Sequence, residues 1–203
     1  MLLTVPFYTQ GRNECGPVTL QMVLEYFGEK HKKEAIKKLV DSESTGTTWT
    51  IGLAKTAAQL GFPTEFYSTS LGFNPKNFEL EHYQRETDGA HLAKEKLERL
   101  KQECLKYGVK LEERSISFQE IISKMNNDCI PIILLDWSKV KKQGTFKGHF
   151  VPIVGYDDKG IIIHQPGPMN PEPNYKIDHQ TFEEARKARG TDEDIIFIFR
   201  KRE

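Results

Sequence analysis

Cys15 is followed by Gly16 and Pro17 at a point where a loop turns into a helix. A thiol in that place has chemistry open to it. The unpaired N–H groups and the dipole of a helix start stabilise the thiolate, which is the reactive form. Gly16 admits close approach of substrate or backbone, and Pro17 suits a first turn, where its missing N–H would have had no partner. Gln10 lies upstream, and its amide can join the Cys15 N–H in holding an oxyanion. Far downstream, His149 follows Gly148 at the start of a strand-like run. An imidazole with an ordinary pKa of about 6.5 suits a general base near neutral pH. Each residue also has a plainer reading: Cys15 as a small buried hydrophobe, Gln10 as a loop residue, His149 as a structural or exposed histidine.

The elements that must position these groups divide along the chain. Residues from Cys15 to Phe27 read as a helix that stops at Gly28, and its apolar residues lie on several faces, so it is expected to be buried. Further helices are expected over His31–Val40 and over Trp49–Leu60, which ends at Gly61. The segment 71–108 is different: Asn74-Pro75 marks a loop, and Ala90–Tyr107 is a charged helix whose apolar stripe is Leu92, Leu97, Leu100, Cys104 and Leu105. It reads as an insertion or lid on a single domain spanning residues 1–203. A capping box, Ser117 to Glu120, opens a short helix to about Asn126. Beyond it, Ile130–Asp136, Phe150–Tyr156, Gly160–His164 and Ile195–Arg200 are strand-like, with a hairpin turn at Asp157–Gly160. Helices first and an antiparallel sheet second reads as α+β.

Bulk composition narrows the function classes. The 203 residues carry 29 Lys plus Arg against 29 Asp plus Glu, which offers no electrostatic handle for nucleic acid or an anionic membrane. No apolar run reaches the length of a membrane span, and the first residues carry neither a basic segment nor an apolar core of a leader, so a cytoplasmic location is expected. Three cysteines, Cys15, Cys104 and Cys129, are too few and too odd in number for a disulfide framework. No Cys/His cluster has metal-ligand spacing, so neither a metal nor another cofactor is expected. Trp49 and Trp137 suit core packing or a substrate groove.

The segment Val5-Pro6-Phe7-Tyr8-Thr9-Gln10, then Cys15-Gly16-Pro17 and a helix ending in Tyr26-Phe27-Gly28, resembles the opening of the C39 and C39-like cysteine peptidases. Gly148-His149-Phe150-Val151-Pro152-Ile153-Val154-Gly155-Tyr156 resembles the catalytic half of the same families. The resemblance implies a papain-like fold, Cys15 as nucleophile and His149 as its base. The families carry Asp, sometimes Asn, before a proline at the end of the next strand. In this chain Gln165 precedes Pro166, which implies Gln165 as the group that orients His149. An amide oxygen can accept from a neutral imidazole but adds no charge. Asp136, Asp157 and Asp158 are rival orienters, and His164 should face away from the site by strand alternation.

The reading that follows is a cysteine hydrolase, a peptidase that cleaves amide bonds of a peptide or protein substrate through a thioester acyl-enzyme. Two alternatives stay open. An acyltransferase or amidase would use the same Cys-His site with another acceptor, and a catalytically degenerate domain would only bind peptide. The oligomeric state is not legible.

Overall fold

The strand-like runs of the second half form the middle of a sheet, as their Ile and Val content requires. The structure, a computed structural model, describes residues 1–201. Among them, β3 (Cys129–Asp136), β4 (Gly148–Tyr156), β5 (Gly160–Gln165) and β7 (Ile195–Phe199) lie side by side in the order β7-β3-β4-β5, all antiparallel. Every residue of β3 is buried, so this strand is covered on both faces. The turn between β4 and β5 is closed by Asp157, which accepts from the N–H groups of Lys159 and Gly160.

The sheet is wider than the sequence reading has it. On one side, β1 (Thr64–Ser68) pairs with β7, and β2 (Lys110–Glu113) pairs in parallel with β1. On the other side, β6 (Glu172–Asp178) pairs with β5. The full order is β2-β1-β7-β3-β4-β5-β6, so strands from the helical half join the sheet. Both outer strands are polar and largely exposed, which leaves them without the alternating pattern that marks a half-buried strand.

One face of the sheet receives the buried helix α1 (Cys15–Tyr26), then α2 (Lys33–Leu39) and α3 (Thr50–Gln59). Leu20, Met22, Val23 and Leu24 are fully buried in a core shared with Ile130, Ile132, Leu134, Phe150 and Val154. Truncating one of these leucines to alanine would cost about 2–5 kcal/mol. Gly28 and Gly61 adopt φ of 95° and 89° just beyond the ends of α1 and α3, the left-handed stop that glycine allows.

The segment 71–108 divides in two. A 3-10 turn (Pro75–Glu79) and the short helix α4 (Glu81–Glu86) lean over the start of α3. Then α5 (Ala90–Lys106) crosses from β1 to β2 and packs on α3. Its buried stripe is Ala93, Leu97, Leu100 and Cys104, while Leu92 and Leu105 are exposed at 52% and 55%. The helix α6 (Phe118–Lys124) starts with the expected capping box of Ser117 and Glu120. On the opposite face of the sheet, α7 (Trp137–Lys141) and α8 (His179–Arg186) cover a second core containing Leu135, Val151, Ile153, Ile163 and Phe182. No helix among the described residues is long and apolar enough to cross a membrane.

Candidate active site

Cys15 is the first residue of α1, half-buried, and α1 lies against β4. Two contacts fix that crossing. Thr19 Oγ1 donates to Phe150 O at 3.2 Å. A Cβ at Gly16 would sit 3.4 Å from the Phe150 ring and 3.2 Å from Thr48 Cβ, so the glycine is what lets the helix start approach the strand. The cap itself is Glu14, which gives α1 no side-chain hydrogen bond. Its carboxylate is held instead by Lys33 and Lys37, both at 2.8 Å, and by the Gly11 N–H at 2.9 Å. Burial pushes the Glu14 pKa up, but those donors outweigh it and bring it down to about 2. The charge next to the thiol is therefore neutralised away from it.

His149 is the second residue of β4 and only 4% exposed. Alternation along the strand sends Phe150 toward α1 and His149 toward Leu135, its register partner, and Trp137. The Trp137 ring lies 4.9 Å from the imidazole, centroid to centroid. Gln165, at the end of β5, accepts from His149 Nε2 with its Oε1 at 3.0 Å.

The rest of the Gln165 amide settles that direction. Its Nε2 donates to Met169 O at 2.8 Å and to Asn170 O at 3.0 Å, so both amide hydrogens are used. Its Oε1 also accepts from the Gly167 N–H at 2.6 Å. The oxygen must face the ring, His149 must carry its proton on Nε2, and Nδ1 is left as the basic nitrogen.

The other residues singled out in the sequence fall as follows. Gln10 reaches the same Gln165–Asn170 segment: its N–H donates to Pro166 O at 2.8 Å and its Nε2 to Gly167 O at 2.7 Å. One amide hydrogen of Gln10 is thus engaged, and its Oε1 is buried without a partner. Asp136 caps α7 by accepting from Ser138 N–H, and also accepts from Lys147 N–H. Asp157 is a turn former. His164 is 2% exposed with both nitrogens engaged, one by Val5 O and one by Asn174 N–H, so it belongs to the framework. Trp137 covers His149, and Trp49 lines the cleft beside Cys15. Cys104 and Cys129 are buried, with thiols that burial pushes up to about 12.

The electrostatics keep the site uncharged at rest. Burial raises the Cys15 pKa above its ordinary value, against the pull of the Phe150, Gly16 and Cys15 amides and of Lys147. Burial lowers His149 to about 4; the hydrogen bond to Gln165 raises it in part, and the charge on Lys147 adds to the lowering. Thiol and imidazole are thus both neutral at pH 7.

Of the lining of the cleft into which Cys15 opens, the sequence offered Trp49 as a groove residue and 71–108 as a lid. It missed the part played by Asp192 and Asp194 before β7, which meet Thr47–Ile51 and parts of Ser70–Tyr83 there. Among the described residues, no group of three or more His, Cys, Asp or Glu side chains is placed to share a metal ion.

Comparisons with known proteins divide between fold and sequence. The peptidase domain of Streptococcus ComA, a bifunctional ABC transporter of a quorum-sensing pathway, superposes with a TM-score of 0.54 at 13% identity, over 97% of this chain and 98% of that one. A double-glycine-motif protease from an AMS/PCAT transporter, solved with its leader peptide, gives 0.53 at 18% identity over 99% and 94%. A C39-like peptidase from Bacillus anthracis gives 0.53 at 14% identity over 100% and 98%. These likenesses bear out the α+β, papain-like fold. In sequence, Guanylyl cyclase 1 of Arabidopsis thaliana is 27% identical over 200 residues, which cover 91% of this chain and 71% of that protein. The C39-like resemblance thus holds for the fold, whereas the sequence pattern of the family described as Guanylylate cyclase matches residues 5–198, and the chain belongs to that family.

Proposed function

We propose that the chain is a cysteine-dependent acyl-transfer enzyme of the hydrolase type, with Cys15 as nucleophile and His149 as base. The observation that carries this is the fixed imidazole tautomer: Gln165 Oε1 accepts from the His149 Nε2–H and leaves Nδ1 as the basic nitrogen. Cys15 Sγ adds to the carbonyl carbon of an amide while its proton passes to His149 Nδ1. Among the described residues thiol and imidazole share no hydrogen bond, so the transfer requires the ring to reach the thiol from its place beside Trp137. The second hydrogen of Gln10 Nε2 and the Cys15 N–H are the donors for the oxyanion. The C–N bond then breaks as His149 returns the proton to the leaving amine, giving a thioester. Water, or an amine in the acyltransferase variant, adds to the thioester and releases the thiol. Because both partners rest neutral, proton transfer accompanies attack rather than preceding it. A peptide substrate suits the cleft, and a reducing cytoplasm suits three cysteines that form no disulfide.

The test is acylation by a p-nitrophenyl ester, read as a burst and as a covalent adduct on Cys15 by mass spectrometry. Loss of the adduct in Cys15→Ala and in His149→Ala is the expected result. A protein that gives no adduct, or one that keeps its activity in folded Cys15→Ala, overturns the reading.

A second reading comes from the family's description and from the Arabidopsis relative: ring closure of a guanine nucleotide. Cyclic nucleotide formed from GTP at equal rates by wild type and Cys15→Ala would favour it over acyl transfer.

A further inference from the structure

The cleft that Cys15 lines continues, away from the thiol, to the residues just before β7. Two buried polar atoms there complete no hydrogen bond: Asp194 Oδ1 and Thr50 Oγ1, although the Thr50 and Ser68 hydroxyls lie near enough to Asp194 to pull on its carboxyl. Thr50 is the first residue of α3 and only 3% exposed, so water does not make up for its missing partner. Orphaned buried groups are the mark of a site completed by something else. The neighbouring Asp192 is not orphaned, since Asn74 and Asn77 donate to its two oxygens at 2.8 and 2.7 Å. It adds negative charge beside Asp194.

Nothing in the lining answers that charge. No Lys or Arg is among the described residues that line the cleft. His82 lines it, but burial holds its pKa below the ordinary value. The wall is aromatic. Trp49 stacks on Tyr83 with centroids 5.7 Å apart, Phe78 lies 5.8 Å from Tyr83, and Trp49 Nε1 is anchored by Glu43 at 2.7 Å. An electronegative pocket with aromatic walls attracts a cation and repels an anion.

The geometry points to this end of the cleft as a subsite for a cationic group of the substrate, a protonated amine or guanidinium. That group lies along the Trp49–Tyr83 wall and pairs with Asp194, whose orphaned Oδ1, like Thr50 Oγ1, is closed to solvent in the free protein and must turn toward it. The assignment uses the acyl-transfer reading to relate the subsite to a carbonyl at Cys15, but binding at the subsite does not depend on it. A nucleotide polyphosphate would meet the wrong charge here.

Burial, with the charge of Asp192 adding to it, pushes the free Asp194 carboxyl up to about 8, against the Thr50 and Ser68 hydroxyls. The titratable groups around it are Asp192 on its own loop and His82 and Tyr83 from α4. A bound cation therefore displaces a proton from Asp194.

Three probes that share one ring and differ in charge test this: benzylammonium, benzyl alcohol and benzoate, each titrated calorimetrically into the full chain at pH 6, 7 and 8. Benzylammonium is expected to bind at pH 8 at least about tenfold tighter than benzyl alcohol, with benzoate weakest. Its affinity should fall by up to about tenfold per unit of pH below about 8. Asp194→Asn should remove the preference, and Cys15→Ala should leave it intact, which separates failure of the subsite from failure of the acyl-transfer reading. Equal binding of ammonium and alcohol, or a preference that survives in folded Asp194→Asn, overturns the proposal. Should Asp194→Asn not fold, the wild-type titrations decide, and a preference that does not change between pH 6 and 8 overturns it.

Discussion

Gln165 presents its carbonyl to His149 because both hydrogens of its amide are engaged by Met169 O and Asn170 O. These surroundings suit an amide at the position where the C39-like families carry Asp, sometimes Asn. A carboxylate at the same reach would point one oxygen at two carbonyl oxygens about 3 Å away, with no hydrogen to offer either.

Gln165→Glu should therefore destabilise the protein by about 1–3 kcal/mol or more, since it buries an unsatisfied charge. The new carboxyl gains stability by staying protonated, so its folded pKa is raised and the deficit grows as pH rises. Urea denaturation at pH 5 and pH 8 checks this. The loss relative to wild type should be larger at pH 8, and an equal loss at both would mean that the amide nitrogen does not face those carbonyls. Gln165→Ala should lower acylation modestly, because it leaves the Nε2–H unpaired but retains Cys15 and Nδ1.

Cys15 should alkylate slowly at neutral pH. Its thiol is raised by burial and His149 is neutral, so no thiolate–imidazolium pair is stored. Iodoacetamide labelling is expected to rise steadily above pH 8 with no plateau near neutrality. A plateau between pH 5 and 8 would mean a preformed ion pair. Cys104 and Cys129, both buried and pushed up to about 12, should remain unlabelled in the folded protein, so Cys15→Ala should abolish labelling.

His149 should leave a signature in acid stability. Its folded pKa is about 4 against about 6.5 unfolded, so between these values the unfolded chain holds a proton that the folded one lacks. Stability is then full above about 6.5 and falls as pH drops toward 4, by about 3 kcal/mol. In His149→Gln this slope should be shallower between pH 6.5 and 4. Parallel curves for the two proteins would place the imidazole in water.

The places of Cys15 and His149 in the fold were legible because each sits inside a local signal. Cys15 lies in a helix start that Gly16 and Pro17 mark, and His149 lies at the head of an apolar strand. Most of the elements that escaped are those whose reasons are tertiary. The strand Lys110–Glu113 is polar and mostly exposed, and only its parallel pairing with Thr64–Ser68 makes it a strand. The helix His179–Arg186 had a readable signal: Asp178 accepts from the Thr181 N–H as its cap, ahead of Phe182 and Ala185 on one buried face. The outward turn of Leu92 and Leu105 shows the limit of stripe counting, because α3 meets only the face that carries Ala93, Leu97 and Leu100. The meeting of Thr50 and Asp194 in one cleft had no sequence signal at all, since packing alone brings positions so far apart together.

Asp194 also gives a stability prediction independent of any ligand. Its carboxyl titrates at about 8 in the folded chain and at about 3.9 unfolded. Below about 3.9 both states hold the proton and nothing is lost. As pH rises from there to 8, the unfolded chain ionises freely while the folded chain does not, so stability falls, by on the order of several kcal/mol. Asn has the same shape and no proton to lose. Asp194→Asn should therefore melt higher than wild type at pH 8 and close to it at pH 4, and the two proteins should separate progressively between. A residue kept at that cost is one whose charge is used, which links the thermal measurement to the cation titrations. Melting curves that coincide at pH 8 would show the carboxylate to be stabilised by partners in the free protein, and the orphaned Oδ1 would no longer call for a ligand.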